Sequence, residues 1–154
     1  IGGVGMAARS SGVKRDIRSS HPYAAYASQI KHESIVKQHG DVMSRLMMRC
    51  REVLQSADYI EQLLSTYAPS EIARPDYEAT LKAEALAFSL VEGWRGEICH
   101  VAITDKEGKI ATYKIKDPSL HNWLALAIAV RGEGISDFPI CNKSFNLSYC
   151  GHDL

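Results

Sequence analysis

Apolar positions spaced by threes and fours dominate one stretch of the chain. Val42, Leu46, Cys50, Val53, Ala57, Ile60, Leu64 and Tyr67 fall on a single stripe, the pattern of an amphipathic helix. It predicts a helix over residues 41–67, capped by Gly40 and Asp41 and stopped by Pro69. Met43, Met47 and Leu54 widen the face, so the helix is expected to meet more than one neighbour; the methionines read as core filler, not as a cofactor box. A second helix is predicted over residues 76–91, between Pro75 and Gly93, with Leu81, Ala85 and Phe88 on one face. The composition then turns β-branched and aromatic. Residues 96–104 and 109–116, separated by Asp105-Lys106-Glu107-Gly108, predict a hairpin with a four-residue loop. After Pro118 a last helix is expected over residues 119–132. Its Trp123 to Val130 run is apolar on all sides and should be buried.

Between these elements the signals are weaker. Residues 1–20, rich in Gly, Ser, Arg and Lys, read as an irregular segment. Gly3-Val4-Gly5-Met6-Ala7-Ala8 loosely matches a dinucleotide fingerprint, but it lacks the preceding strand and following helix that the chemistry needs. It reads as a glycine-permitted turn. Pro22 suits the first turn of a short helix, and the tail after Gly134 holds one short helix or turn. The fold class is mainly α (α+β): a helix bundle with one small β-hairpin.

Composition narrows the function classes. The chain has 154 residues, 45% hydrophobic and 23% charged, as expected of one folded domain. Eighteen basic and eighteen acidic residues cancel, which argues against a broad nucleic-acid surface. The longest apolar run, residues 123–130, is too short to span a bilayer, and no secretory signal is visible. Cys50, Cys99, Cys141 and Cys150 are well separated, which reads as reduced thiols, not a disulfide framework. The start at Ile1 reads as that of a piece lacking upstream sequence, so residues outside it are expected to complete any site.

Three stretches, in order, carry a family resemblance. They are Ser11-Gly12-Val13-Lys14-Arg15-Asp16-Ile17-Arg18 with His21-Pro22-Tyr23-Ala24-Ala25-Tyr26; Glu92-Gly93-Trp94-Arg95-Gly96-Glu97; and Lys114-Ile115-Lys116-Asp117-Pro118-Ser119-Leu120-His121-Asn122 with Ser136-Asp137 and the tail. Together they resemble the large subunit of membrane-associated, energy-converting [NiFe] hydrogenases, including formate hydrogenlyase. They equally resemble the quinone-site large subunit of respiratory complex I. The resemblance covers nearly the whole chain and only the C-terminal part of the family's subunit, so residues 1–154 are expected to be a single-domain fragment of it. It implies an iron–sulfur small subunit and membrane-arm subunits as partners. It also implies a peripheral place on the cytoplasmic face of the cell membrane, with no transmembrane segment of the chain's own.

The hydrogenase branch holds its nickel–iron centre with four thiolates, two of them from Asp-Pro-Cys-x-x-Cys near the C-terminus. Here Asn146-Leu147 falls at Asp-Pro, and Ser148 and Gly151 fall at the two cysteines, with Cys150 one position off. A hydroxyl and a bare backbone do not replace soft bridging thiolates. The centre is therefore expected to be absent, and no other cofactor or metal is expected in this chain. Cys141, Cys150 and His152 are too closely spaced and too few for a zinc site; two buried thiols and a polar terminus are expected.

The resemblance marks five residues as catalytic candidates. Asp16 matches a carboxylate near the quinone in the complex I branch, where it pairs with a histidine from the N-terminal portion. Burial and neighbours can tune such a group for proton relay. Arg18 and His21 lie beside it; Arg95 and Glu97 sit where the family approaches its metal-site region. Each also has a structural reading: a local turn for Asp16, an ion pair for Arg95 and Glu97, an ordinary hydrogen bond for His21. His100 and His121 read as hairpin and helix-start residues. The helix charges Arg45, Arg49, Arg51, Glu52, Asp58 and Glu61 read as a solvated or subunit-facing surface.

Overall fold

The computed structural model describes residues 1–68 and 80–151. In chain order they form α1 (Gly5–Ser10), α2 (Ile17–Ser20), α3 (Ala25–Ser28), α4 (Val42–Thr66), β1 (Leu86–Gly93), β2 (Gly96–Thr104), β3 (Ile110–Lys116), α5 (Pro118–Ala129), a 3-10 turn (Ile135–Asp137) and α6 (Phe138–Phe145). The strands make one antiparallel sheet in the order β1-β2-β3. The architecture is α+β with a three-stranded sheet, not a helix bundle with a two-stranded hairpin. Pro69, Pro75, the start of the expected second helix at Asp76, and His152 lie outside the described residues.

The hairpin of β2 and β3 forms as its composition predicts. In its loop the Asp105 carboxylate accepts from the Glu107 and Lys109 N–H groups at 3.0 and 2.8 Å. The extra strand is β1, where the spacing suggested a helix through residue 91. Alanine, leucine and glutamate favour a helix there, but Leu86, Phe88 and Leu90 also alternate. Pairing along the full length of β2, from Leu86↔Ile103 to Gly93↔Gly96, decides for the strand; such tertiary context routinely outweighs propensity.

Residues 1–20 are not an irregular segment. Helix α1 is buried at all six positions and packs against α4, α5 and β2. Gly5 permits this: a Cβ there would meet Gly96 Cα at 2.3 Å, and its φ is +61°. Asn122 of α5 locks the approach. Its Oδ1 accepts from Val4 N–H at 3.0 Å, and its Nδ2 donates to the Val4 and Arg95 carbonyls at 3.2 Å each. Pro22 precedes α3 by three residues and does not start it.

Asp41 caps α4 as expected, accepting from Ser44 N–H at 2.6 Å. The buried residues of α4, however, are Ser44, Arg45 and Met48. The apolar stripe through Leu46, Val53, Ile60 and Leu64 is exposed. The long helix thus packs on this chain through Met48 and two polar residues: Arg45 donates to Ser144 Oγ at 2.7 Å and lies 4.1 Å above the Phe145 ring. Helix α5 is likewise buried on one side only. Pro118, Ser119, Asn122 and Leu126 are inside, while Leu120, Leu124 and Ile128 are exposed, against the expected all-round burial. Ala7, Leu126, Cys141, Phe145 and Leu147 make the small apolar core. Cys141 is buried, but Cys150 is exposed.

Candidate functional site

The N-cap of α2 organises a buried cluster of charges. Asp16 accepts from the Arg18 backbone N–H at 3.0 Å, and from Arg18 Nε and an Nη at 2.9 and 2.8 Å. The buried α1 supplies Arg9, which donates to Glu52 of α4 and Glu92 of β1, each at 2.7 Å, and lies 3.6 Å from Asp16. Its side chain is 2% exposed and that of Asp16 is 0%. Glu92 also accepts from Ile17 N–H at 3.2 Å, and its own N–H donates to the Tyr23 hydroxyl at 3.1 Å. The neighbouring α1 and α2 therefore meet the distant α4 and β1 at two guanidinium and three carboxylate groups.

His32 completes the cluster from the loop before α4. Its Nε2 lies 2.9 Å from Asp16 Oδ2 and its Nδ1 lies 3.0 Å from the Tyr59 hydroxyl. Asp16 thus finds a histidine partner within this chain, whereas the family resemblance placed that partner elsewhere. Burial alone would raise the Asp16 pKa. The hydrogen bonds from His32 and Arg18 and the charges of Arg9 and Arg18 outweigh it and hold the carboxyl below the usual range. Burial would also lower Arg9 and Arg18, but the carboxylates around them push both up. Asp16, Arg9 and Arg18 are therefore all charged at neutral pH.

A cleft of about 560 Å³ opens against this cluster, within the size range of small-molecule sites. Arg9, Arg18, Glu52 and Glu92 line one side, and Tyr26 and Trp94 add aromatic surface. Val53, Ala57 and Ile60 of α4 add apolar side chains to the lining. Cations and carboxylates beside aromatic and apolar side chains suit a small molecule with both a polar and an apolar part.

The structure brings Asp16 and Arg18 together and leaves the other candidates apart. His21 is exposed, its Nδ1 3.0 Å from Ser20 Oγ. Arg95 sits in the β1–β2 turn and donates through Nε to the Asn146 carbonyl. Glu97 is buried and accepts from Arg15 at 3.0 and 2.7 Å. It stands opposite Glu92 in the sheet; like charges there repel, and each has its own arginine. Arg9, His32, Glu52, Tyr59 and Glu92 are the members that sequence reasoning did not single out as site residues. Arg9 sat in a segment read as irregular, and Glu52 among helix charges read as solvated. The Glu92-Gly93 pair inside the quoted motif was the available signal.

The tail has a different arrangement. Ser148 Oγ accepts from Gly151 N–H at 3.3 Å, and Ser148 N–H donates to Ser119 Oγ at 3.0 Å. A Cβ at Gly151 would meet Asp117 Cγ at 2.3 Å. Asp117 is held there by capping α5, accepting from Ser119 N–H at 2.7 Å. Among the described residues no group of three or more His, Cys, Asp or Glu is placed to hold a metal.

A profile of the family "Respiratory-chain NADH dehydrogenase, 49 Kd subunit" matches residues 1–88. The carbon monoxide-induced hydrogenase of Rhodospirillum rubrum is 32% identical over 93% of this chain and 39% of its own. An NADH-quinone oxidoreductase subunit of Herpetosiphon aurantiacus is 32% identical over 94% of this chain and 40% of its own. A chain from the structure of a membrane-bound sulfane sulfur reductase, described as an archaeal respiratory membrane complex, superposes with a TM-score of 0.87 at 28% identity. That match covers 99% of this chain and 43% of the other. This chain thus spans about two fifths of the length of these relatives.

Proposed function

From the premise that this chain belongs to the family of the 49 kDa subunit of respiratory NADH dehydrogenase, we propose that it is the C-terminal part of the large subunit of a membrane-associated oxidoreductase complex, and that the charged cleft binds the electron acceptor. The observation that carries this reading is the buried charge cluster around Asp16, four members of which, Arg9, Arg18, Glu52 and Glu92, line a cleft with Tyr26 and Trp94. An iron–sulfur small subunit supplies electrons, and a membrane arm uses the energy to move ions. The chain sits peripherally on the cytoplasmic face of the membrane; among its described residues no helix is long and apolar enough to cross one. The acceptor is quinone-like or another non-hydrogen acceptor, such as the sulfane sulfur named for the structural relative. Arg9 and Arg18 polarise its acceptor atom, since charge developing there during reduction faces fixed guanidinium groups in a partly dry site.

The same reading includes the loss of the nickel–iron centre. Ser148 and Gly151 do not fit it: the hydroxyl is engaged by the Gly151 N–H, and Asp117 occupies the space where a thiolate-bearing side chain at Gly151 would begin. Elemental analysis of the full-length subunit from its native complex should find nickel at least tenfold below stoichiometry; stoichiometric nickel, or hydrogen evolution, refutes this part.

Asp16→Asn in the complete complex tests the cleft. It removes the charge that Arg9, Arg18 and His32 share while keeping the side chain's shape. A large loss of turnover with intact assembly is expected. Unchanged turnover would support the alternative, a structural or assembly module that shares the scaffold.

A further inference from the structure

We propose that the turn at Ala24 is a strained hinge, and that α3, carried on it, is a short clamp that closes Tyr26 against the occupant of the cleft. This rests on the cleft reading above and adds the part of the chain that moves when the site fills and empties.

Ala24 stands directly before α3 with φ +47° and ψ −130°. The Tyr26 N–H donates to the Tyr23 carbonyl at 3.0 Å, closing a four-residue turn with Ala24 and Ala25 at its centre. A positive φ at the first central position belongs to the type II′ turn, where glycine is the residue that fits without a steric cost. Alanine places a Cβ there. Asn146 also has a positive φ, but in the left-handed helical region that asparagine tolerates at a helix end. Ala24 has no polar side chain to bond the backbone in compensation. Strain of this kind persists only where the surroundings hold it, and it gathers at ligand clamps and switch regions.

The contacts that hold this segment lie at its two ends and at one ring. Before the hinge, the Glu92 N–H of β1 donates to the Tyr23 hydroxyl at 3.1 Å. After α3, Ile30 is buried. Between these anchors α3 has no buried residue. It is tied to the body through Tyr26, whose ring meets those of Tyr23, His32 and Tyr59 edge-on, with centroids 5.6, 5.7 and 6.2 Å away. Such ring contacts are individually weak. The same Tyr26 lines the cleft, so the group that holds α3 down is also part of the site. Ring contacts favour the held state and the strain at Ala24 opposes it. In the released state Ala24 returns to negative φ and α3 swings out between Tyr23 and Ile30. An occupant that touches Tyr26 adds contacts only in the held state and so shifts the balance toward it.

The experiment is residue-resolved amide hydrogen exchange on the full-length subunit in its complex. The Tyr26 and Ala27 N–H groups donate across the hinge, to the Tyr23 and Ala24 carbonyls at 3.0 and 3.1 Å, and are freed when Ala24 turns. The His21 N–H, bonded to the Ile17 carbonyl of α2 at 2.9 Å, lies outside the hinge and serves as the reference. Ala24→Gly fits the turn and removes the strain, so it should slow exchange at Tyr26 and Ala27 by about 3- to 30-fold. His21 should stay within about twofold of the parent, since the effect is local and not a gain in overall stability. Unchanged exchange at Tyr26 and Ala27, or slowing shared equally by His21, would overturn the hinge.

The same exchange is then followed in the parent with a short-chain quinone or with polysulfide added. A probe that fills the cleft at about ten times its Kd should slow Tyr26 and Ala27 roughly tenfold, because it binds the held state alone. Protection by a probe without a selective effect of Ala24→Gly keeps the cleft reading and overturns the hinge. A selective effect of Ala24→Gly with no protection by either probe overturns the clamp and the cleft reading together.

Discussion

Replacing Arg9 with methionine tests whether the buried cluster is held by compensation among its charges. Methionine keeps most of the length and apolar stem of the side chain and removes the guanidinium. Arg9 loses two 2.7 Å bonds, to Glu52 and Glu92, and a 3.2 Å bond to the Arg15 carbonyl. Arg18 then remains paired with Asp16 and Glu52, and Glu92 loses its arginine. Removing one partner of a buried ion pair typically costs about 3–5 kcal/mol, because the charge left behind is desolvated without compensation. Arg9→Met should therefore destabilise by that amount at pH 7 in urea unfolding followed by circular dichroism. Adding Glu92→Gln removes one stranded charge, so the double variant should lose less than the sum of the singles, with a coupling of about 0.5–3 kcal/mol. The pH dependence has a definite sign. Asp16 is depressed in the folded state, so its contribution is complete above the ordinary carboxylate range and is lost as pH falls through the lowered value. Without Arg9 that depression is smaller, so the folded variant takes up the Asp16 proton at a higher pH than the parent. The deficit of Arg9→Met should thus shrink as pH falls below the ordinary carboxylate range. A cost below about 1 kcal/mol, or a deficit that grows on acidification, would refute the compensation argument.

Further substitutions probe how the site and the tail are positioned. Gly5→Ala should cost about 2–4 kcal/mol, since it adds a Cβ against the Gly96 backbone at positive φ; Gly2→Ala, also at positive φ but with nothing within 4 Å, should cost only about 1–2 kcal/mol by the same unfolding assay. Asn122→Ala leaves Val4 N–H and two carbonyls without their partner in a buried contact, so a loss of about 1–3 kcal/mol is expected. Asp117→Ala should cost about 1 kcal/mol through its cap on α5. It should also make Gly151→Cys less damaging than in the parent; an equal cost in both backgrounds would show that Asp117 is not what fills the position.

Local signals were enough for several elements. The three-and-four spacing after Asp41, the loop at Asp105 to Gly108 and the Pro118 start each produced an element close to where the residues placed it. In each case the determining interactions lie within a few residues: a capping carboxylate, a turn, a helical period. The motif from Ser11 to Arg18 likewise carried the family, and its Asp16 and Arg18 pair with each other in the buried cluster.

What the pattern did not reveal depended on partners distant in the chain. Strand β1 was hidden because its composition favours a helix and only pairing with β2 makes it a strand. Helix α1 was hidden because Arg9 and Ser10 look like solvent-facing residues until Glu52 and Glu92 are brought to them. The apolar stripe of α4 was visible, but its side of the helix was not: α4 turns Arg45 and Met48 inward. Composition and spacing determine which segments can be helix or turn, because those preferences are local and short-ranged. Which charges are buried together, and which histidine meets Asp16, is decided only when the tertiary structure closes loops of tens of residues and replaces water around each ion with its counter-ions.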